Sequence, residues 1–287
     1  MHFQGDEITA TLYIVATPMG NLEDITFRAV RILKEADLIA AEDTRHSRRL
    51  LSHYGITTPM ISCHEHNESQ RSFDLVSKLL SNQTIALISD AGTPLISDPG
   101  YRLVTLACEH KIPVVPVPGC NAAVAGLSAA GLPTDEFLFC GFLPKKTNKL
   151  TQALDKLKDQ TATLIFYESP KRIKSLIKKA HQVLGDRNAC LAREQTKRHE
   201  EFVRGSLSKI LAELENRDQI KGECVLLIQG NPGKKITLGQ EDLKALILER
   251  LKDKPKTQDL AREISQTFNL SKKNVYDTIL SLKSPKG

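Results

Sequence analysis

The chain has 287 residues, of which 40% are hydrophobic and 26% charged, with a formal net charge of +6 and an isoelectric point near 8.9. This length exceeds one average domain and predicts two lobes, or two lobes and a small appendage. No apolar run approaches the roughly 18 residues of a membrane helix. Residues 1–6 lack the basic head and apolar stretch of a secretory signal, so we expect a cytoplasmic protein without a membrane segment.

Short apolar runs alternate with helical patterns through the first part of the chain. The runs read as buried strands and are 12–16, 38–41, 60–63, 85–89 and 114–117. Between them, Phe27, Val30 and Leu33 recur at helical spacing, as do Phe73, Val76 and Leu80. Strand and helix in alternation predict a parallel sheet, with ligands gathered beyond the carboxyl ends of its strands.

A second set of strands follows, at 137–141, 163–167, 190–193, 201–204 and 224–229. Helices are expected over about 149–158 and 170–183. Only a few polar residues separate 190–193 from the next strand, so these two strands should form a hairpin, which makes the second sheet mixed. The fold class is thus α/β, with a mainly parallel first lobe, a mixed second lobe and the ligand in the cleft between them.

Residues 230–235 (GNPGKK) are typical of a linker. Beyond them, Leu260, Ile264 and Phe268 form one apolar stripe and Val275, Ile279 and Leu282 another, with Ser271 positioned to cap the second helix. This pattern fits a helix-turn-helix appendage and equally an ordinary helical hairpin packed on the body. The expected domains are an amino-terminal lobe (1–118), a carboxy-terminal lobe (119–232) and a helical appendage (233–287).

Four loops rich in Gly, Pro and short polar residues follow predicted strands of the first lobe. They are 17–24 (TPMGNLED), 42–47 (EDTRHS), 89–100 (SDAGTPLISDPG) and 118–123 (PGCNAA). Small residues in such loops let backbone amides approach a ligand closely. Each loop alone could be turn and cap chemistry, but four at one sheet edge indicate a binding site.

Lysine and arginine are concentrated between residues 145 and 179, a segment with ten basic and three acidic residues. This segment is either a solvated helix surface or a surface that contacts phosphates. The chain lacks a Walker loop, a dinucleotide fingerprint, a zinc-protease motif and a nucleophile elbow, and its six cysteines have no metal-binding spacing, so we expect no metal.

Several longer segments together resemble one known family. They are LYIVATPMGNLED, DLIAAEDTRHSRRLLSHYGI, SDAGTPLISDPGYRLV, PVPGCNAAVAGLSAAGLPTDEFLFCGFLP, FYESPKR and LAREQTKRHEE. In unbroken order over about residues 11–230, they are similar to ribosomal RNA methyltransferases of the tetrapyrrole-methylase-type superfamily. The fourth loop departs from the superfamily, because Asn121 stands where a serine is usual.

The resemblance implies a homodimeric enzyme that transfers a methyl group from S-adenosylmethionine to the ribose 2′-hydroxyl of a cytidine in the decoding region of 16S ribosomal RNA. It implies that the cofactor contacts Thr17, Pro18, Asp90, Gly92, Thr93, Asn121, Ala122 and Tyr167. Beside an RNA substrate, the basic segment is interpreted as a phosphate-contacting surface, with the candidate residues Lys145, Lys146, Lys149, Lys171, Arg172 and Lys174.

Methyl transfer to a hydroxyl needs alignment of the reactants and a group that accepts the proton or stabilises the developing alkoxide. The candidates at the expected strand ends, unranked, are Glu42, Asp43, Arg45, His46, Glu168, Lys171 and Arg193. Two other functions stay open: a methyltransferase for a small molecule of the tetrapyrrole type, and a non-catalytic RNA-binding assembly factor. Whether the substrate is free RNA or an assembled small subunit is also open.

Overall fold

A computed structural model describes residues 10–232, 240–252, 255–268 and 270–283. The chain divides into two compact units, Met1–Asn231 and Pro232–Gly287. The boundary expected at residue 118 between two α/β lobes lies inside the first unit. In the part of the chain that the structure describes, no helix is long and apolar enough to cross a membrane.

The first unit contains two five-stranded sheets, and the fold class expected from the sequence is confirmed. The strands are β1 (Leu12–Val15), β2 (Leu38–Ala41), β3 (Met60–Ser62), β4 (Ile85–Ile88), β5 (Val114–Val117), β6 (Phe137–Phe142), β7 (Thr163–Glu168), β8 (Asn188–Arg193), β9 (Glu201–Ser206) and β10 (Cys224–Ile228). The first sheet has the order β3-β2-β4-β1-β5 and all its pairs are parallel. The second has the order β6-β7-β10-β8-β9 and is mixed, because only β6 and β7 pair in parallel.

Helices cover the sheets, and a short 3-10 helix spans Leu22–Asp24. The helices are α1 (Phe27–Glu35), α2 (Thr44–His53), α3 (Glu68–Leu80), α4 (Tyr101–Glu109), α5 (Ala122–Ala130), α6 (Thr147–Asp155), α7 (Ile173–Leu184) and α8 (Leu207–Glu215). Strands β2 and β4 are wholly apolar and wholly buried, as expected for a parallel sheet that is covered on both faces. Short polar side chains cap several helices; the Thr26 hydroxyl, for example, accepts the Ala29 N–H at the start of α1.

The apolar stripes expected on α1 and α3 are partly wrong. Phe27 is 97% exposed and Phe73 is 62% exposed. The buried faces instead carry smaller or neighbouring side chains, such as Ile32 on α1 and Leu75 on α3. Bulky aromatic residues therefore mark the outer surface of these helices.

The second unit has three described helices, α9 (Gln240–Leu251), α10 (Thr257–Phe268) and α11 (Lys272–Lys283), of which α9 was not expected. They enclose their own core of Leu243, Ile247, Leu260, Ala261, Ile264, Val275 and Ile279. The Ser271 hydroxyl accepts the Asn274 N–H at 3.4 Å, which confirms the expected cap of α11. Of the expected linker, residues 233–235 lie outside the described residues, whereas Gly230 packs against the backbone of Thr161.

Candidate functional site

The loops at one end of the two sheets of the first unit enclose a cavity of about 410 Å³. This volume lies within the range of small-molecule sites, roughly 300–1,000 Å³. The lining residues are Met19, Glu42, Asp90, Ala91, Gly92, Thr93, Ile96, Ser97, Asp98, Asn121, Ala122, Phe142, Tyr167, Glu168, Ser169, Pro170, Gln195, Gly222, Glu223, Cys224 and Val225. Residues from the four expected loops line it, although the first loop contributes Met19 alone and the second loop Glu42 alone.

Hydrogen bonds join the loops of the first sheet to one another. Thr17 and Gly92 exchange two backbone hydrogen bonds, of 2.8 and 2.9 Å, and the Thr17 hydroxyl donates to the Ser89 carbonyl at 3.1 Å. Asp90 accepts the backbone N–H of Asp43 at 3.1 Å, and its own N–H donates to Glu42 at 3.3 Å. The loops that follow β1, β2 and β4 therefore form one connected wall.

Strained backbone borders the cavity on two sides. Leu95 and Ser97 have φ values of 72° and 70°, in the left-handed region that side chains other than glycine rarely adopt. Glu194 and Thr196, on either side of Gln195, have φ values of 52° and 66°. Such conformations persist where the surrounding structure enforces them, and they are concentrated at binding and catalytic sites.

Three carboxylates, Glu42, Asp90 and Asp98, form what we call the acidic wall of the cavity. Burial, together with the neighbouring charges of Glu42 and Asp90, raises the pKa of Asp98 to about 6, although a hydrogen bond from Ser89 acts to lower it. Burial also raises the pKa of Glu42. A carboxylate with such a raised pKa accepts a proton at neutral pH more readily than an ordinary surface carboxylate.

Apolar side chains form another part of the cavity lining, which we call the apolar wall: Met19, Ile96, Phe142 and Tyr167. The Tyr167 ring packs edge-on against Phe139, with ring centroids 4.9 Å apart, and against Phe142, at 5.7 Å. The Tyr167 hydroxyl accepts the N–H of Ala123 at 3.2 Å, which ties the second sheet to the start of α5. The cavity thus presents charged and flat apolar surfaces to one ligand.

Six of the eight residues expected at the cofactor line the cavity, namely Asp90, Gly92, Thr93, Asn121, Ala122 and Tyr167. Thr17 and Pro18 are buried and do not line it. Thr17 instead holds the loop that carries Gly92. The Asn121 side chain caps α5 by accepting the N–H groups of Ala123 and Val124, each at 3.1 Å, so Asn121 also fixes the helix at the cavity.

Of the seven catalytic candidates, Glu42 and Glu168 line the cavity. Asp43 is paired with Arg45 at 3.1 Å, and hydrogen bonds from Arg45 lower the pKa of Asp43 to about 2, which makes it a weak base. Three candidates are exposed and do not line the cavity, namely Arg45, His46 and Lys171.

Arg193 and Glu168 both form contacts within the protein. Arg193 pairs with Glu201 at 2.5 Å and does not line the cavity. Glu168 is 3% exposed; it accepts the Ser169 N–H at 2.7 Å and lies 3.1 Å from the Arg172 guanidinium.

Sequence reasoning did not single out several cavity residues. Asp98 lies in the third loop, and Gln195, which is buried and donates to the Ala122 carbonyl at 3.1 Å, follows β8. Residues 222–225 approach from the amino end of β10, because this strand runs antiparallel to its neighbours. A rule based on carboxyl ends of parallel strands therefore does not find them.

Comparison with solved structures is consistent with this architecture. A diphthine synthase structure matches 77% of this chain and 90% of its own, with a TM-score of 0.59 and 15% identity. A uroporphyrin-III C-methyltransferase from Thermus thermophilus, complexed with S-adenyl homocysteine, matches 77% of this chain and 97% of its own, with a TM-score of 0.54 and 20% identity. At these identities the likeness shows the fold alone.

Sequence comparison is more specific. The family model for tetrapyrrole (corrin/porphyrin) methylases matches residues 11–211. The ribosomal RNA small subunit methyltransferase I of Halalkalibacterium halodurans is 50% identical over 82% of this chain and 80% of its own length. The protein of that name from Bacillus subtilis is 39% identical over 96% of each chain. The chain therefore belongs to the tetrapyrrole methylase family, on its ribosomal RNA small subunit methyltransferase branch.

Proposed function

We propose that the chain transfers a methyl group from S-adenosylmethionine to the ribose 2′-hydroxyl of a cytidine in the decoding region of 16S ribosomal RNA. The observation that carries this proposal is the cavity, whose acidic and apolar walls stand at the strand ends of a methylase fold. Relatives at 39–50% identity that are named ribosomal RNA small subunit methyltransferase I support RNA as the methyl acceptor.

The residues around the cavity fit S-adenosylmethionine. Gly92, with a φ of 81°, brings backbone to the cavity in a conformation that favours glycine. Carboxylates of the acidic wall suit the cationic methionine end of the molecule, and Tyr167 and Met19 of the apolar wall suit the flat adenine. When bound, the cofactor supplies an electrophilic methyl group with a neutral leaving group.

The protein contributes alignment and a proton acceptor. Among the candidates we assign the proton acceptor to Glu42, because it lines the cavity and burial raises its pKa. Asp98, in the same wall, is the alternative. Glu168 is the weaker candidate, because its carboxylate is already paired with Arg172.

We propose that the substrate RNA lies along the exposed lysines next to the cavity. Lys145, Lys146, Lys149 and Lys171 are exposed, and the structure gives them no ion pair within the described residues. Arg172, in contrast, donates to the carbonyls of Leu143 and Pro144, at 3.1 and 3.3 Å. Lys174 donates to the Arg217 carbonyl at 3.1 Å. We therefore propose that Arg172 and Lys174 support the RNA-binding surface through these bonds and do not contact phosphates themselves.

A cytoplasmic homodimer is also part of the proposal. Phe27, Phe73, Leu80 and Tyr101 are large apolar side chains between 59% and 97% exposed, which suits burial against a second copy. Light scattering tests the dimer, and substitution of Phe27 and Phe73 by serine should shift the mass towards that of a monomer. Unchanged mass in this variant would place the interface elsewhere.

The decisive experiment is to map ribose methylation on small-subunit RNA incubated with the purified protein and S-adenosylmethionine. Unmethylated small subunits and free 16S RNA serve as parallel substrates, and the Glu42→Gln variant serves as the matched control with an intact fold. We expect one methylated cytidine ribose with the wild type and strongly reduced methylation with Glu42→Gln. Cofactor binding without RNA methylation, together with methylation of a tetrapyrrole, would favour a small-molecule enzyme. Failure to bind the cofactor in calorimetry would favour a non-catalytic RNA-binding factor.

A further inference from the structure

A β-bulge in β6 changes the direction of the side chain that ends this strand. Phe139 pairs with Ile165 of β7, but the next pairs are Gly141 with Phe166 and Phe142 with Tyr167, so one extra residue is inserted on β6. In a regular strand Gly141 would share the face of Phe139 and Phe142 would point to the other face. The bulge therefore turns Phe142 to the side of Phe139 and Tyr167, and bulges next to binding sites often re-aim a side chain in this way.

The bulge depends on Gly141, which has a φ of 60° and lies in a crowded position. A Cβ atom at this residue would be 3.1 Å from the Ser97 hydroxyl oxygen. Glycine is thus favoured both by the left-handed backbone and by the close approach of the loop after β4. The bulge that turns Phe142 therefore lies against Ser97, a cavity residue in the loop after β4 of the first sheet.

Phe142 lies at the mouth of the cavity with most of its ring uncovered. It lines the cavity, packs against Tyr167 at a centroid distance of 5.7 Å, and is still 60% exposed. Tyr167 is only partly exposed and forms the inner part of the same wall. The exposed ring of Phe142 is therefore accessible to a group that arrives from solution after the inner cavity is filled.

Cationic side chains follow Phe142 closely along the chain. Lys145, Lys146 and Lys149 are exposed and come three, four and seven residues later. The Arg172 guanidinium, which bonds to the carbonyls of Leu143 and Pro144, fixes the chain between Phe142 and these lysines. An aromatic ring for stacking next to cations for phosphates is the combination that binds unpaired nucleotides.

We propose that Phe142 is the surface on which the target nucleobase stacks, so that its ribose is presented to the acidic wall. This assignment deepens the proposed function and rests on it. It makes Phe142 a residue for positioning and recognition of the substrate, while the cofactor contacts the inner cavity. Substitution of Phe142 should therefore affect the use of RNA and leave cofactor binding unchanged.

The first test compares Phe142→Ala and Phe142→Tyr in methylation of small subunits that lack the modification. Loss of one stacked base corresponds to roughly a tenfold to hundredfold loss of kcat/KM for RNA, which we expect for Phe142→Ala. Phe142→Tyr, which keeps the ring, should stay near the wild type, and the cofactor Kd should be unchanged in both variants. Phe137→Ala is the control, because Phe137 is 47% exposed on the same strand but does not line the cavity.

Wild-type kcat/KM in Phe142→Ala would overturn the assignment, as would a loss of cofactor affinity equal to the loss of kcat/KM. A dimer that dissociates in Phe142→Ala, with unchanged RNA kinetics, would make Phe142 a contact between copies instead. Failure of the wild type to methylate small subunits would be a failure of the proposed function, and it is seen before any variant is compared.

The second test uses the absence of tryptophan from the sequence. Phe142→Trp introduces a single fluorescent tryptophan, which is quenched when a base stacks on it. We expect quenching by small subunits that lack the modification, whereas Phe137→Trp should respond little. An equal Phe142→Trp signal change upon binding of small subunits whose RNA lacks the target cytidine would show that no specific base stacks there, and would overturn the assignment.

Discussion

Thr17 and Gly92 hold two loops of the cavity together by an exchange of backbone hydrogen bonds, and the Thr17 hydroxyl adds a bond to the Ser89 carbonyl. Thr17 is 2% exposed and does not line the cavity, so it stabilises the cavity loops without contacting a ligand. Thr17→Val keeps the shape and removes the hydroxyl donor. We expect a loss of about 1 kcal/mol in the free energy of unfolding and weaker binding of S-adenosylmethionine in calorimetry.

Thr58→Val is the matched control for this change. The Thr58 hydroxyl donates to the Leu33 carbonyl at 2.6 Å and is not part of the cavity lining. It should lose a similar amount of stability without loss of cofactor affinity. Equal losses of affinity in both variants would remove the specific link between Thr17 and the site.

The raised pKa of Asp98 makes the stability of the unliganded protein depend on pH. The pKa is about 6 in the folded protein, against an ordinary value of 3.8, so the folded state holds this proton more tightly than the unfolded state. The corresponding stability is present at low pH and is lost as the pH rises through about 6. Asp98→Asn should therefore raise the melting temperature at about pH 8, with a difference that shrinks towards about pH 4.

Thermal unfolding of the unliganded protein across this pH range checks the expectation. Asp135→Asn, an exposed carboxylate in the same unit, is the control and should differ little from the wild type at any of these pH values. A melting temperature of Asp98→Asn that is lower than wild type at about pH 8 would show that the charged Asp98 carboxylate does not destabilise the folded protein.

The buried Glu168 carboxylate depends on Arg172 as its cation, at 3.1 Å. Arg172→Met should lower the free energy of unfolding by about 3 kcal/mol, because it leaves a buried charge without its partner. Glu168→Gln in the Arg172→Met background should recover much of this loss in denaturant unfolding. Lys171→Met, exposed and adjacent, should change stability by less than about 0.5 kcal/mol. If Arg172→Met weakens RNA binding with no loss of stability, Arg172 is a phosphate contact.

The exposed lysines after β6 should account for part of the salt dependence of RNA binding. Replacement of Lys145, Lys146 and Lys149 by glutamine should weaken binding and reduce the slope of log K against log salt by about 2, at roughly 0.7 for each lost phosphate contact. Titrations at several salt concentrations measure the slope. Replacement of Lys34 on α1, Lys78 on α3 and Lys111 after α4, which are exposed lysines outside the basic segment, should leave it unchanged. Equal slopes in both triple variants would show that the basic segment is a solvated surface.

The helices of the second unit enclose a core of their own, so their removal should spare the cavity. We expect a chain that ends at Asn231 to bind S-adenosylmethionine like the full chain. Methylation should fall through a raised apparent KM for small subunits, with kcat less affected, because the lost contacts are uniform binding contacts. Loss of cofactor affinity on truncation would instead support the interpretation of α10 and α11 as a hairpin packed on the body.

The strands could be predicted because buried parallel strands consist of continuous apolar runs, as in β2 and β4. The core faces of α1 and α3 could not be predicted, because the helical spacing that includes Phe27 and Phe73 does not show on which side the helix packs. Periodicity gives the spacing of a stripe, but the choice between adjacent stripes is made by the packing of the sheet beneath. On α9 the apolar residues do not follow one clear stripe, and this helix was missed.

The loops of the first sheet were found because a parallel sheet collects its loops at one edge. The role of Asp98 could not be found in this way, since its raised pKa arises from burial and from Glu42 and Asp90, which are brought near it only by folding. The position of Phe142 at the cavity could not be predicted either, because a bulge shifts by one residue the alternation of side chains between the two faces of a strand. What the sequence leaves open is thus mainly the consequence of contacts between distant segments.

The residues that line the cavity extend from Met19 to Val225, nearly the whole length of the first unit. A nascent chain that has emerged only through β7, or a chain cut by a protease between the two sheets, lacks part of the lining and has no complete site. Binding of the methyl donor therefore requires a completely folded first unit, and it stabilises that folded state. A donor concentration of about a hundred times its Kd stabilises the native state by about 2.7 kcal/mol, so we expect added methyl donor to slow proteolysis of the folded protein.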